Sequence, residues 1–194
     1  MKKRLFLICI TIKFHVKTVV LDAYDMTRGF NSGNEYQIKL MDDKGNGISN
    51  KLVKFTVGQN EYYAMADGDG MAMLKVGLNV GTYKVGISTP LTNQSTAKTL
   101  KIVKRVQNTR NMNVYYNSNK KYTAKIIGDD GKAETASKSV SVYINSKKYT
   151  YKTDENQQEG NCKTDPQEKQ VQKGKNTVKI SYLKDTIKTK VKIL

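Results

Sequence analysis

The feature that most constrains this 194-residue sequence is an internal duplication. Residues 30–36 (FNSGNEY) recur as residues 116–122 (YNSNKKY), a spacing of 86 that Gly45 and Gly131 also keep. Three more segment pairs follow in the same order: 53–57 with 140–144, 81–88 with 174–181, and 100–103 with 191–194. The spacing changes only between segments, where insertions cost least. This pattern predicts one folding unit that occurs twice.

The duplicated segments alternate apolar and polar residues, which is the period of a β-strand. A slip of one residue would turn every side chain to the opposite face, so the shared parity predicts the same inward positions in both copies. These positions are Tyr36, Ile38 and Leu40 in the first copy and Tyr122, Ala124 and Ile126 in the second. The composition, with 12 Tyr and 2 Pro, is also typical of sheets.

Turn signals divide the first copy into short segments. We predict seven strands near 20–27, 35–41, 51–58, 60–66, 71–77, 82–88 and 97–103. The connections between these strands, such as Asp43-Lys44-Gly45 and Asp67-Gly68-Asp69-Gly70, contain residues that tolerate positive φ. Seven short strands of this kind predict a Greek-key sandwich. The predicted fold class is all-β, with two tandem immunoglobulin-like Greek-key β-sandwiches.

The predicted domain boundaries follow the duplication, with one repeat over 20–104 and the other over 105–194. The linker 104–110 contains neither Gly nor Pro, which predicts a semi-rigid, elongated monomer. Residues 154–173 are polar, with Val171 as their only large aliphatic residue. We predict a long mobile loop there, in which the strand that matches 71–77 is degraded or displaced.

The amino-terminal segment 1–19 allows two interpretations. Residues 1–4 are basic and residues 5–10 are apolar, as at the start of an export signal, but Lys13 follows early and no small-residue cleavage site appears. Residues 12–17 alternate instead, which favours an extra strand. No apolar run approaches the roughly 20 residues that a bilayer-spanning helix requires, so no transmembrane segment is predicted.

The formal net charge is +17, from 34 Lys and Arg against 17 Asp and Glu. Such a charge favours polyanionic partners at low salt. The basic residues nevertheless look like single lysines at outward strand positions, such as Lys39, Lys84, Lys125, Lys179 and Lys192. Lysines of this kind also protect sheet edges from aggregation. We therefore expect a solvated surface and no specific nucleic-acid binding, with polyanion binding as the alternative.

Residues able to carry catalysis are few. His15 is the only histidine, and Cys162 has no histidine base to partner it. The pairs Asp42-Asp43 and Asp67/Asp69 lack the full spacing and terminal Glu of a calcium loop, so ordinary turn chemistry explains them better. We predict no catalytic, cofactor-binding or metal-binding residues, and no enzyme activity. Cys9 and Cys162, the only cysteines, lie in different halves and do not indicate a disulfide framework.

Tyrosines supply the remaining candidates for binding. By parity Tyr63, Tyr115, Tyr143 and Tyr151 point outward, where flat rings can bind sugars. Cross-strand packing is the more common role of such residues on sheets. An intramolecular isopeptide bond between a buried Lys and an Asn is a further alternative that the sequence leaves open.

Several motifs resemble the immunoglobulin-like repeats of adhesin-like surface proteins of methane-producing archaea, related in design to bacterial invasin-type repeats. They are Tyr116-Asn117-Ser118 with Tyr122, Asp42-Asp43-Lys44-Gly45, Phe55-Thr56-Val57 with Tyr62, and Gly81-Thr82-Tyr83-Lys84-Val85. The resemblance covers about residues 20–194 in two copies.

This resemblance implies a non-catalytic, extracellular module of the cell surface that serves attachment or acts as a spacer. The implied partner is an envelope polymer or a ligand on another cell surface. Members of the family are usually much longer. The resemblance therefore also implies that this sequence is one part of a longer protein.

Overall fold

The protein folds almost entirely into β-strands. The computed structural model describes residues 19–33, 36–90, 94–116, 118, 120–134, 137–153, 161–164 and 173–194. The first eight strands are β1 Val20–Asp22, β2 Met26–Gly29, β3 Tyr36–Met41, β4 Leu52–Val57, β5 Asn60–Met65, β6 Met71–Leu74, β7 Gly81–Ser88 and β8 Ser95–Val103. The next eight are β9 Val106–Gln107, β10 Met112–Val114, β11 Tyr122–Ile126, β12 Ser139–Ile144, β13 Lys147–Lys152, β14 Asn161–Thr164, β15 Gly174–Tyr182 and β16 Asp185–Ile193.

Two sandwiches with the same strand order follow each other along the chain. The first pairs a sheet β1-β3-β6 with a sheet β2-β8-β7-β4-β5, and the second pairs β9-β11-β14 with β10-β16-β15-β12-β13. Every strand of the first sandwich has its counterpart eight strands later. The fold is therefore the predicted one, two tandem immunoglobulin-like Greek-key β-sandwiches.

The first predicted strand, 20–27, is in fact two strands that belong to different sheets. β1 pairs antiparallel with β3, whereas β2 pairs parallel with β8. The chain crosses between the sheets at residues 23–25, where the carboxylate Oδ1 of Asp25 accepts the backbone N–H of Thr99 at 2.7 Å. The Tyr24 carbonyl accepts the Tyr36 hydroxyl at 2.7 Å. These two bonds satisfy polar groups at a bend that strand alternation alone does not reveal.

Each sandwich has its own apolar core. The predicted inward residues Tyr36, Ile38 and Leu40 and their counterparts Tyr122, Ala124 and Ile126 are all buried. They pack in two separate clusters, one built from residues 36–102 and one from residues 106–193. Burial of these faces supplies the main stabilisation of sheets that have only one apolar side.

The prediction of one loop over 154–173 is wrong at β14. This strand pairs antiparallel with β11, and Thr164 lies opposite Tyr122 as Leu74 lies opposite Tyr36 in the first sandwich. The strand thus occurs at its equivalent register, because the hydrogen bonds of a ladder come from the backbone and need no apolar alternation. Residues 154–160 and 165–172 lie outside the described residues, as do residues 1–18 with both interpretations of the amino-terminal segment.

Candidate functional site

The residues singled out for catalysis do not form a site in the part of the chain that the structure describes. Cys9 and His15 lie outside the described residues, and of Cys162 only the backbone, in β14, is described. The described side chains include no cluster of three or more His, Cys, Asp or Glu residues able to hold a metal ion. None of the described segments forms a helix long and apolar enough to cross a bilayer.

The aspartates that raised the question of calcium organise turns. Oδ1 of Asp67 accepts the backbone N–H groups of Asp69 at 3.0 Å and Met71 at 2.9 Å. Oδ1 of Asp42 accepts those of Lys44 at 3.0 Å and Asn46 at 2.9 Å. Each carboxylate thereby satisfies the amides of its own turn, as turn chemistry predicts.

The candidate tyrosines have different environments. Tyr63 is 56% exposed and its hydroxyl donates to Oε2 of Glu61 at 2.9 Å, and Tyr115 is 73% exposed. Tyr143 is half-buried, with Nζ of Lys179 4.9 Å from the centre of its ring. The outward prediction is wrong for Tyr151, which pairs with the buried Val140 and packs against the core of the second sandwich.

A buried arginine, Arg105, lies between the two sandwiches. Arg105 is fully buried. Its Nε donates to the Phe30 carbonyl at 2.6 Å and its Nη1 to the Ile127 carbonyl at 3.3 Å, and its Nη2 pairs with the carboxylate of Asp129. Because a buried charge without partners is very costly, these bonds hold the end of the first sandwich and a turn of the second to one guanidinium.

Aspartate and tyrosine side chains surround this junction. Oδ2 of Asp185, at the β15–β16 turn, accepts the backbone N–H of Arg105 at 2.7 Å. The Tyr182 hydroxyl donates to Oε1 of Glu134 at 2.8 Å, and burial together with that carboxylate raises the pKa of Tyr182. The phenol therefore stays neutral and keeps donating throughout the physiological pH range.

Two glycines allow the sandwiches to approach closely. The Gly29 N–H donates to the Asp129 carbonyl at 3.2 Å. A Cβ at Gly29 would overlap the Gly128 carbonyl, and a Cβ at Gly131 would lie 2.6 Å from Cγ2 of Thr27. Gly131 also has φ of +76°, which L side chains rarely adopt. Side chains at either position would force the sandwiches apart.

Sequence reasoning missed this junction, although the duplication contained a signal. Gly29 aligns with Tyr115, and Arg105 lies 86 residues after Val19. The close approach at Gly29 and the buried cation therefore use residues that the other copy lacks. Departures from the repeat, rather than the repeat itself, mark the joint.

A second notable surface is the outward side of the five-stranded sheet of the second sandwich, here called the lysine face. By strand parity it carries seven lysines and no acidic residue, and the lysines are Lys148, Lys152, Lys175, Lys179, Lys188, Lys190 and Lys192. The lysines lie at outward strand positions, as the sequence predicts, but here they share one face. The β15–β16 register places Lys175 opposite Lys192 and Lys179 opposite Lys188, a proximity that linear spacing does not show.

Two shallow depressions lie on the lysine face. One, of about 450 Å³, is lined by Tyr143, Asn145, Ser146, Thr177, Lys179 and Lys188. The other, of about 310 Å³, is lined by residues 111–113, Lys175 and residues 190–192. Lys188 and Lys190, two positions apart on β16, connect them. Ammonium groups therefore lie beside amide or hydroxyl groups in both depressions.

The equivalent face of the first sandwich has a different chemistry. It carries three lysines, Lys54, Lys84 and Lys101, and one acid, Glu61. Lys54 and Glu61 form an ion pair, and Leu52 and Met65 are exposed beside them. The two sandwiches thus share a topology but present different outer surfaces.

Comparison with known proteins finds similar solved structures but no similar sequences among protein families or curated proteins. No protein-family model matches the sequence, and no curated protein is similar to it. The I9–I11 tandem of titin is 10% identical, with a TM-score of 0.49, over 91% of this chain and 66% of that chain. A Ca2+-stabilized adhesin with which an Antarctic bacterium binds ice is 12% identical, with a TM-score of 0.33, over 94% of this chain and 50% of that chain. Fibronectin(III)-like modules of Clostridium thermocellum CbhA are 14% identical, with a TM-score of 0.27, over 91% of this chain and 94% of that chain. This chain spans half of the adhesin chain.

Proposed function

We propose that this protein is a non-catalytic, extracellular immunoglobulin-like repeat module of a cell-surface protein, which serves attachment or acts as a spacer. The observation that carries the proposal is the junction at Arg105. Contacts between domains of one chain are usually small and polar, so relative motion is the default expectation. A spacer must instead hold its domains in a fixed relation, and a buried guanidinium that bonds to both sandwiches supplies that constraint.

The partners of Arg105 support this function. Its guanidinium bonds to Phe30 of the first sandwich and to Ile127 and Asp129 of the second. The bonds to Ile127 and Asp129 fix the guanidinium within the second sandwich, so bending the joint would break its charge-assisted bond to the Phe30 carbonyl and the backbone bond between Gly29 and Asp129. The units proposed here are residues 20–104 and 105–194, with the joint at their boundary.

NMR relaxation of backbone amides tests the proposal. Domains in a fixed relation share one tumbling time, whereas loosely tethered domains tumble separately. We expect one shared tumbling time in the natural protein and two shorter ones in Arg105→Ala. Arg110→Ala, which changes an exposed arginine of the same linker, serves as the matched control. Independent tumbling in the natural protein would refute the spacer function.

A second candidate function, binding of a polyanion, is favoured by the lysine face. Opposed lysines without a neighbouring acid create a strongly positive local potential. Binding of this kind weakens steeply as salt rises, because it releases counterions. Retention on a sulfated matrix that is the same at low and high salt would argue against it.

A further inference from the structure

The lysine face holds pairs of like charges in direct opposition. Lys175 lies across from Lys192 and Lys179 from Lys188 on neighbouring antiparallel strands. Like charges directly opposite each other destabilise a sheet. The outward positions of β10, β12, β13, β15 and β16 carry no acid that would offset the repulsion. An arrangement that costs stability in the free protein is relieved when an anion binds.

The distribution of these charges fits an extended anion better than a small one. Outward residues on one strand are roughly 7 Å apart, and directly opposed residues on adjacent strands are about 5 Å apart. A single small anion would therefore engage one lysine pair only. Lys188 lines one depression and Lys190, two positions along the same strand, lines the other, so one chain molecule can reach both. Their volumes of about 450 and 310 Å³ lie near the lower end of the range for ligand pockets.

The other side chains on this face discriminate among polyanions. No arginine lies at its outward positions, although the forked guanidinium is the side chain best suited to paired bonds with phosphate. Single-stranded nucleic acids are bound by stacking their bases on aromatic rings. Tyr143 is the one aromatic side chain at the outward positions of these strands, and the ammonium group of Lys179 already lies over its ring.

Neutral hydrogen-bonding groups fill the remaining positions. A row across the sheet consists of Thr186, Ser181, Ser141 and Thr150, and Oγ of Ser181 lies 2.9 Å from Oγ1 of Thr186. Asn113 and Asn145 border the depressions. Hydroxyls and amides both donate and accept, which suits the hydroxyl groups of sugars.

We infer that the lysine face binds an acidic polysaccharide, one whose sugars carry carboxylate or sulfate groups. Lysines pair with the acidic groups, while the Ser, Thr and Asn side chains bond to the sugar hydroxyls. The inference rests on the second candidate function and specifies its surface and ligand class. It is independent of the spacer function.

Binding of purified protein to four probes at one fixed salt concentration tests the inference. The probes are polygalacturonate, dextran sulfate, neutral dextran and a short duplex DNA. We expect the two acidic polysaccharides to bind more tightly than the DNA, and neutral dextran not to bind. Lys179→Gln/Lys188→Gln should weaken polysaccharide binding about tenfold, since each lysine near a polyanion contributes on the order of a few-fold in affinity.

Two variants make the test specific. Lys84→Gln/Lys101→Gln removes the same charge from the equivalent face of the first sandwich, and we expect less than a twofold change. Lys179→Arg/Lys188→Arg restores the charge and should retain binding.

Equal losses in both Gln variants would overturn the assigned surface, because net charge alone would then explain binding. Tighter binding of DNA through the same lysines would overturn the polysaccharide assignment and leave polyanion binding intact. Binding to no probe would remove both, and the result of the NMR experiment would be unaffected.

Discussion

The two sandwiches agree in their inner positions and differ in their outer surfaces. Inward residues occur at matching places, but two of them are larger in the first core, with Phe55 where the second has Val142 and Ile38 where the second has Ala124. The outer sheet carries an ion pair and exposed apolar residues in the first sandwich, and opposed lysines in the second. The strand order therefore does not depend on the side chains at outward positions, and the two copies share it while presenting different surfaces.

The largest expected effect concerns the two cores. Phe55→Ala should lower the free energy of unfolding of the first sandwich by about 4 kcal/mol, because it leaves a cavity beside Tyr36, whose ring centre lies 6.4 Å away. The equivalent change Val142→Ala should cost about half as much, since fewer buried atoms are lost. Urea unfolding followed by tyrosine fluorescence measures both. Equal losses of unfolding free energy in the two variants would show that the larger side chain of Phe55 does not contribute more to stability than that of Val142.

A somewhat smaller effect is expected at the joint. Arg105→Ala should destabilise the protein by about 3 kcal/mol, because two carbonyls and the carboxylate of Asp129 lose a buried partner. Arg110→Ala, the exposed control, should change the unfolding free energy by less than about 0.5 kcal/mol. If both variants unfold at the same urea concentration, the guanidinium contributes nothing to holding the sandwiches together.

The matched phenols Tyr36 and Tyr122 predict a pH dependence. Burial raises the pKa of Tyr36 to about 12 and also raises that of Tyr122. The folded state therefore favours the neutral phenols, and stability is constant below the unfolded pKa of about 10 and falls as pH rises toward about 12. Tyr36→Phe should cost about 1 kcal/mol at neutral pH, from the lost bond to Tyr24, and should reduce the alkaline loss. Chemical unfolding at a series of pH values checks this, and an alkaline limb unchanged in Tyr36→Phe would contradict it.

The smallest expected effect concerns the outer face of the first sandwich. Glu61 has a lowered pKa because of its bond to Lys54, yet Glu61 is exposed and Lys54 is only half-buried. Glu61→Gln should leave the melting temperature unchanged within error, since exposed ion pairs contribute little. It should raise affinity for dextran sulfate less than about threefold, because a freed lysine adds one cation. A gain as large as the loss in Lys179→Gln/Lys188→Gln would mean that the two outer faces are functionally alike.

Sequence reasoning predicted the duplication, the strand parity and the fold class, because these depend on local alternation that repeats. It failed where the environment of a side chain depends on which strands pair and in which register. Lys179 and Lys188 are separated by a turn in sequence and become neighbours through register, and Tyr151 faces inward because of its partner Val140. The crossing at residues 23–25 depends on Asp25 reaching Thr99, far along the chain. β14 lacked apolar alternation but forms through backbone bonds to β11.

Two residues of the joint between the sandwiches, Gly29 and Arg105, have no identical counterpart in the other copy. Gly29 makes room for the neighbouring turn where the other copy has Tyr115, and Arg105 fills the place that Val19 occupies 86 residues earlier. A permuted chain with the second copy placed first would fold both units and still lack their connection. Recombination between such copies can therefore preserve both folding units while it removes the contacts that join them.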